Sequence, residues 1–394
     1  MSGWREATLG DVCELKRGYD LPKGSRGGGS VPVISSSGPT GWHDEAKVKA
    51  PGVVTGRYGT LGQVFYVTED FWPLNTSLYV RDFKGNDPKF VATLLRSLDL
   101  GQYDGAAAVP GLNRNHLHTL PVRVPVLQIQ RTIAHVAQGF DDLIENNRRR
   151  VAVLEEMARA IYREWFVKFR YPGHEDVPLI DSAFGPIPEG WEVEAASSAL
   201  DVNPKIKVDR SVAHPFLGMG DLSERDMVCF PSEARAGGSG AKFENGDTLF
   251  ARITPSLENG KTGLVQCLDE GEIGLGSTEF IVLRGRKVGS AFTYCLARSE
   301  DFRGNAIASM SGASGRQRVR NECFDSYRLA VPPTRLVQQF EGLAEPMIAE
   351  VSARSVQARS LVELRDLLLP KLVTGQIDVS ALDLDALVAE GVGS

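Results

Sequence analysis

The sequence predicts an α+β protein made twice over: two similar, mixed β-rich domains separated by two long helices that pair as an antiparallel coiled coil. Three observations predict it. One apolar seam occurs twice at a fixed offset of 207 residues, a glycine-punctuated β-type stretch precedes each copy, and a Pro- and Gly-rich linker follows the first. In the first copy the seam runs through Ile133, Val136, Phe140, Ile144, Val151, Leu154, Ala158 and Ile161. At the same offset from all of these but Ala158 stand Phe340, Leu343, Met347, Val351, Ala358, Leu361 and Leu368. Steps of three and four residues hold one narrow stripe of an α-helix against a partner. Repetition over this distance is duplication of a whole domain-plus-helix unit rather than a short-period solenoid.

In chain order, residues 1–124 form the first domain, with β-type runs at 31–34, 52–55, 63–67 and 77–80 separated by glycines at 24–29 and 56–62. An amphipathic helix interrupts it from Pro88 to Leu98, presenting Phe90, Val91, Leu94 and Leu95. The first spacer helix occupies 125–170, its helical part running from Leu127 to Phe169. Val124-Pro125 opens it as Val331-Pro332 opens the second, proline being tolerated in a first turn that has no use for its N–H. A linker at 171–189 carries Pro172, Pro178, Pro186 and Pro188. The second domain, 190–331, restarts with Gly190-Trp191 as the first does with Gly3-Trp4, and the stretch 246–252 echoes 52–57. The second spacer helix takes 332–374, and 375–394 is an acidic tail containing Asp378, Asp383, Asp385 and Glu390 without a Lys or Arg.

At 394 residues the chain suits two domains with connecting elements, and 42% hydrophobic with 24% charged residues is the composition of a soluble globular protein. The N-terminus lacks an apolar signal core and no membrane-length apolar run occurs, so a cytoplasmic location is expected. Five scattered cysteines fit a reducing compartment and argue against a disulfide framework. His116 and His118 would share a face if the segment were a strand, but no third ligand lies near them in sequence, so no metal site is expected. The net charge of −6 counts against a nucleic-acid binder, yet residues 1–125 hold 14 Lys and Arg against 12 Asp and Glu, and residues 186–333 hold 17 against 20. Any DNA surface is therefore a local patch set by loops.

A helix of about 40 residues is roughly 60 Å long, and its exposed seam is unstable alone. Its duplicate is the obvious partner. The chain path makes the pair antiparallel, with the domains at opposite ends. Two similar, non-identical heads suit a linear target with two unlike half-sites, for which duplex DNA is the natural candidate. A duplicated coiled-coil scaffold without DNA readout is the alternative.

The sequence resembles the specificity subunit of type I restriction-modification enzymes over nearly its whole length. The most specific segments are Glu164-Trp165-Phe166-Val167-Lys168-Phe169 and Leu367-Leu368-Leu369-Pro370-Lys371-Leu372 at the helix ends, with 125–130 and 332–338 at the helix starts. The 310–320 loop, and 238–246 followed by 247–252, are similar as well. Two departures concern the helix starts, where Ile129 and Val337 replace the acidic residue usual before the glutamine, and a third is the looser match of Gly56-Arg57-Tyr58-Gly59. The resemblance implies two target-recognition domains, each reading half of a bipartite asymmetric DNA site, and helices that dock two methyltransferase subunits. It places S-adenosylmethionine, ATP and Mg in partner subunits, a motor and endonuclease subunit among them, and no cofactor in this chain. It also implies a docking role for Trp165, Phe166 and Phe169, which as residues read more simply as packing at the end of the coiled coil.

Catalytic signatures are accordingly expected to be missing. Near Asn259-Gly260-Lys261-Thr262 the first phosphate-loop glycine is replaced by Pro255, which has no N–H to offer an anion. Asp20 with Glu45-Ala46-Lys47 has a nuclease-like spacing and is read as chance, and Asn203-Pro204-Lys205 lacks the second proline and aromatic residue of an adenine methyltransferase.

Arginine suits guanine and Asn or Gln suits adenine, while Lys, Ser and Thr hold phosphates. The DNA-binding candidates in the first domain are Lys16, Arg17, Lys23, Arg26, Arg57, Tyr58, Asn113 and Arg114. Those in the second are Lys205, Lys207, Arg252, Lys261, Ser277, Thr278, Arg316, Gln317 and Arg318. About half of such residues are ordinary surface charges, and Asn113, Arg114, Arg316 and Arg318 are also placed to brace the joint between domain and helix. Arg148, Arg149 and Arg150 spread around a helix and read as solvated or partner-facing.

Overall fold

The computed structural model describes residues 3–98, 100–103, 111–183, 185–313 and 315–379. The chain divides into two compact units, Met1–Glu145 with Arg359–Ser394, and Asn146–Ala358. Each unit thus joins one β-rich domain to a stretch of both long helices. Of the acidic tail, Asp383, Asp385 and Glu390 lie outside the described residues.

In the first unit, strands Glu14–Arg17, Ser77–Asp82, Gly52–Gly56 and Val64–Val67 lie side by side in that order, all antiparallel. A smaller sheet joins Gly38–His43, Val31–Ser35 and Trp72–Pro73, the last pair parallel. Strand Trp4–Thr8 pairs with Pro121–Pro125, closing the domain at its two chain ends.

The second unit repeats this topology. Strands Leu200–Val202, Phe280–Gly285, Thr248–Ala251 and Thr262–Leu264 take the same order, and Glu192–Ala195 pairs with Arg328–Val331 at the chain ends. Its smaller sheet again contains a parallel pair, Ala213–Leu217 with Gly274–Gly276, and gains a strand, Ala241–Phe243. Duplication is therefore visible in strand order even where the loop sequences differ widely.

The long helices run Leu127–Tyr162 and Thr334–Val373. The start of the first and the end of the second belong to one unit, their other ends to the other, and in each unit the helices run antiparallel. In the first unit Arg365 Nη1 donates to Asp141 at 3.0 Å, and Arg96 Nη1 reaches the same carboxylate at 2.9 Å. In the second, Phe340 packs against Tyr162, Trp165 and Phe166, with ring centroids 6.2, 6.2 and 5.0 Å away.

Several details differ from the sequence expectation. Leu343 is 46% exposed and Met347 half-buried; Ala344 and Ile348 fill the seam there. At 3.6 residues per turn the buried stripe drifts around the helix, and one step along it is enough to exchange neighbours. Pro125 ends a strand and Pro332 lies in the connector before Thr334, so neither prolines' position is in a first helical turn. The first helix passes at Tyr162 into a π-helical turn, Arg163–Val167, and stops before Phe169, whose φ of 57° is left-handed. His116 and His118 lie on the short helix Arg114–His118 rather than a strand, and His118 Nε2 accepts a hydrogen bond from the Leu15 amide at 2.9 Å. Burial lowers the pKa of His118, which suits that neutral acceptor role.

Each domain is fastened to a long helix at the start of one of its own helices. Gln130, buried, accepts from the Asp87 amide at 2.9 Å, directly before helix Pro88–Ser97, and donates to Pro125 O at 2.9 Å. In the second unit Gln338 faces solvent, and Glu341 takes the equivalent part at helix Ser290–Arg298. All five cysteines are free thiols, and no helix among the described residues is long and apolar enough to cross a membrane.

Candidate nucleic-acid interface

The first domain gathers five of its eight candidates around one cleft of about 420 Å³: Arg17, Arg57, Tyr58, Asn113 and Arg114. Strand Gly52–Gly56 delivers Arg57 and Tyr58 to its rim. Gly56 is required there because a Cβ would meet Thr60 O at 1.8 Å, and Gly59, with φ +80°, lets the chain turn. Gly111 leaves room for Tyr58, whose ring would lie 2.3 Å from an added Cβ. The Arg57 guanidinium sits 4.4 Å from the Tyr58 ring centroid, a cation–π contact that restricts it without consuming its hydrogen-bond donors. Asn113 is committed otherwise: its side chain accepts from the Asn115 amide and caps helix Arg114–His118.

The second domain brings Lys205, Arg252 and Thr278 to a cleft of about 440 Å³, together with Asn203 and Lys242. Asn203 has φ +54° and is bound in both directions to Val282, its amide donating at 2.7 Å and its Oδ1 accepting at 3.0 Å. Arg252 Nη2 donates to Val319 O at 3.0 Å.

The remaining candidates lie outside both clefts. Arg318 forms three contacts of 2.6–3.0 Å with the Glu279 carboxylate, which raises the arginine's pKa and lowers that of Glu279 through the hydrogen bond they share. Lys261 Nζ donates to Met219 O at 2.7 Å, and Arg26 Nη1 to Thr40 O at 3.0 Å. Lys16 lies 5.4 Å from the Tyr19 ring centroid, and Tyr19 hydroxyl is 3.0 Å from that of Tyr79. Lys23, Lys207 and Arg316 are exposed outside the clefts; Ser277 and Gln317 are half-buried, the Gln317 carbonyl accepting from the Thr254 amide at 3.1 Å.

Sequence reasoning missed Asn115, Asn203 and Lys242. Asn203 is marked in the sequence only by Asn203-Pro204, and Lys242 sits in a three-residue strand that composition does not mark. In the nuclease-like set, Asp20 pairs with Arg17 and Asn75, and Glu45 with Lys47. No group of three or more metal-capable side chains occurs among the described residues.

Comparison with known proteins bears on what these clefts serve. Residues 1–156 match the model of the type I restriction modification DNA specificity domain. The type I restriction enzyme MjaIX specificity subunit of Methanocaldococcus jannaschii is 24% identical over 329 residues, covering 79% of this chain and 74% of that protein. Residues 1–156 thus carry the likeness to the type I DNA specificity domain, and most of the chain is similar in sequence to a type I specificity subunit. The EcoEI specificity subunit of Escherichia coli is 32% identical over 168 residues, 40% of this chain and 28% of that protein. A crystal structure of the type I restriction-modification S subunit from M. genitalium shares the fold, with a TM-score of 0.63 and 14% identity over 94% of this chain and 96% of that one. These comparisons support a DNA-recognition chain.

Proposed function

We propose that the two clefts are the DNA-facing surfaces of two target-recognition domains, each reading one half of a bipartite, asymmetric site. The observation that carries this reading is their placement: both lie where the third strand of the same four-stranded sheet ends, in domains of one topology but different loops. One topology with different side chains is what two unlike half-sites require. The arginines and lysines that line the clefts supply guanine and phosphate contacts, and Tyr58 an apolar surface against bases.

In this reading the long helices dock two methyltransferase subunits, which bring S-adenosylmethionine, and a motor and endonuclease subunit brings ATP and Mg chemistry. This chain supplies the address. Methylome sequencing of the source with and without the gene tests the proposal. One bipartite, asymmetric adenine-methylation motif should vanish with the gene, and an unchanged methylome contradicts it.

A further inference from the structure

Arg57 and Arg252 occupy the same place in two copies of one sheet. Arg57 follows strand Gly52–Gly56, flanked by Val64–Val67 and Ser77–Asp82; Arg252 follows Thr248–Ala251, flanked by Thr262–Leu264 and Phe280–Gly285. Their backbones are held identically. The Arg57 amide donates to Thr76 O and the Arg252 amide to Glu279 O, both at 2.9 Å. The Arg57 carbonyl accepts from Leu112 N at 3.0 Å and the Arg252 carbonyl from Val319 N at 2.8 Å. The following residues, Tyr58 and Ile253, bridge to Gly111 and Arg318.

The side chains share a state as well. Each lines its domain's cleft, each is half-buried, and neither is ion-paired with a carboxylate among the described residues. Arg57 is steadied by the Tyr58 ring and Arg252 by Val319 O, which takes one Nη2 hydrogen and leaves the other with both on Nη1. Arg17 and Arg318, by contrast, are bound to Asp20 and Glu279. A base-reading group must be positioned before contact, because discrimination is lost if the side chain can swing to another partner. A phosphate contact tolerates a mobile ammonium, such as that of exposed Lys205.

We propose that Arg57 and Arg252 are the equivalent specificity-determining residues of the two domains, each presenting its guanidinium fork to O6 and N7 of a guanine in its own half-site. This rests on the DNA-recognition reading above. Lysine keeps the charge but cannot form the fork.

The test uses the full chain assembled with its methyltransferase subunits, and selects bound duplexes from a pool randomised over the methylated motif. Arg57→Lys should lower preference for one guanine in one half-site by roughly 5- to 150-fold, and Arg252→Lys should do so for one guanine in the other. Placing 7-deazaguanine, which lacks the N7 acceptor, at those positions should weaken binding of the unmodified protein while adding no loss to the matching variant. The loss in the unmodified protein needs no altered chain, so a folding defect cannot imitate it. Unchanged guanine preference in both variants, or indifference of the wild type to 7-deazaguanine, overturns the assignment while leaving DNA recognition intact. A wild-type complex that selects no sequence at all overturns both.

Discussion

Glu341 accepts a hydrogen bond from the Phe292 amide at 3.0 Å, and its second carboxylate oxygen accepts from the Ala291 amide at the same distance. A side chain of the second long helix thereby takes up two amides at the start of helix Ser290–Arg298, where a negative charge also meets the positive end of the helix dipole. Glu341→Ala leaves both amides buried and unpaired and should cost about 2–4 kcal/mol. Glu341→Gln, which keeps an acceptor, should cost less. Gly289→Ala should be damaging too, since its Cβ would lie 2.0 Å from the Glu341 carboxyl carbon. Urea midpoints check all three, and an unchanged midpoint for Glu341→Ala contradicts the fastening role.

Burial raises the carboxyl pKa of Glu341, as it does that of Glu155, which accepts from the Met227 amide at 2.7 Å; those backbone donors oppose the shift only in part. The folded protein therefore holds these protons more tightly than the unfolded chain. Their contribution to stability is fully present below the ordinary glutamate value of 4.5 and is lost as pH rises through the raised folded values. Stability of the wild type minus that of the Glu155→Gln, Glu341→Gln double variant should fall over that interval. A difference that stays flat or rises with pH would show that burial does not govern these groups.

The seam makes a sharper distinction than its sequence does. Phe340 is fully buried against three aromatic rings, so Phe340→Ala should cost about 3–5 kcal/mol. Leu343, read from the repeat as a seam residue, is exposed, and Leu343→Ala should stay within about 0.5 kcal/mol in the isolated chain. Thermal or urea unfolding of the two variants decides it, and equal losses would restore the repeat-derived seam.

For the second cleft, Lys205→Ala and Lys242→Ala should weaken binding to all duplexes alike. Each phosphate contact removed should flatten the slope of log affinity against log salt by about 0.9. Lys207→Ala, outside the cleft, should leave the slope unchanged. Salt titrations of duplex binding by the assembled complex check this, and loss of preference at a single base in place of a uniform loss would make either lysine a reader.

The architecture was legible because it rests on periodicity and on repetition. Most of the seam, the helix end near Val373, and the strands at 31–35, 52–56 and 77–82 follow from which residues must be buried, whereas the first helix ends at Tyr162, short of Phe169. Which candidate touches what was less legible. Arg318 and Arg57 are the same residue type in loops of similar composition, yet one is neutralised by Glu279, distant in sequence, and the other rests on its neighbour Tyr58. Partnership of that kind is decided by tertiary contact. At the start of the second helix the fastening lies with Glu341, which faces the domain, whereas Gln338 faces water.

The central claim, that two like-folded domains each read half of one site, is tested most directly by exchanging residues 1–124 for the corresponding segment of a family member with a different target and sequencing the methylated motif. One half of the motif should change to the donor's while the other half is retained. A folded, methylating chimera in which both halves change, or neither does, contradicts it.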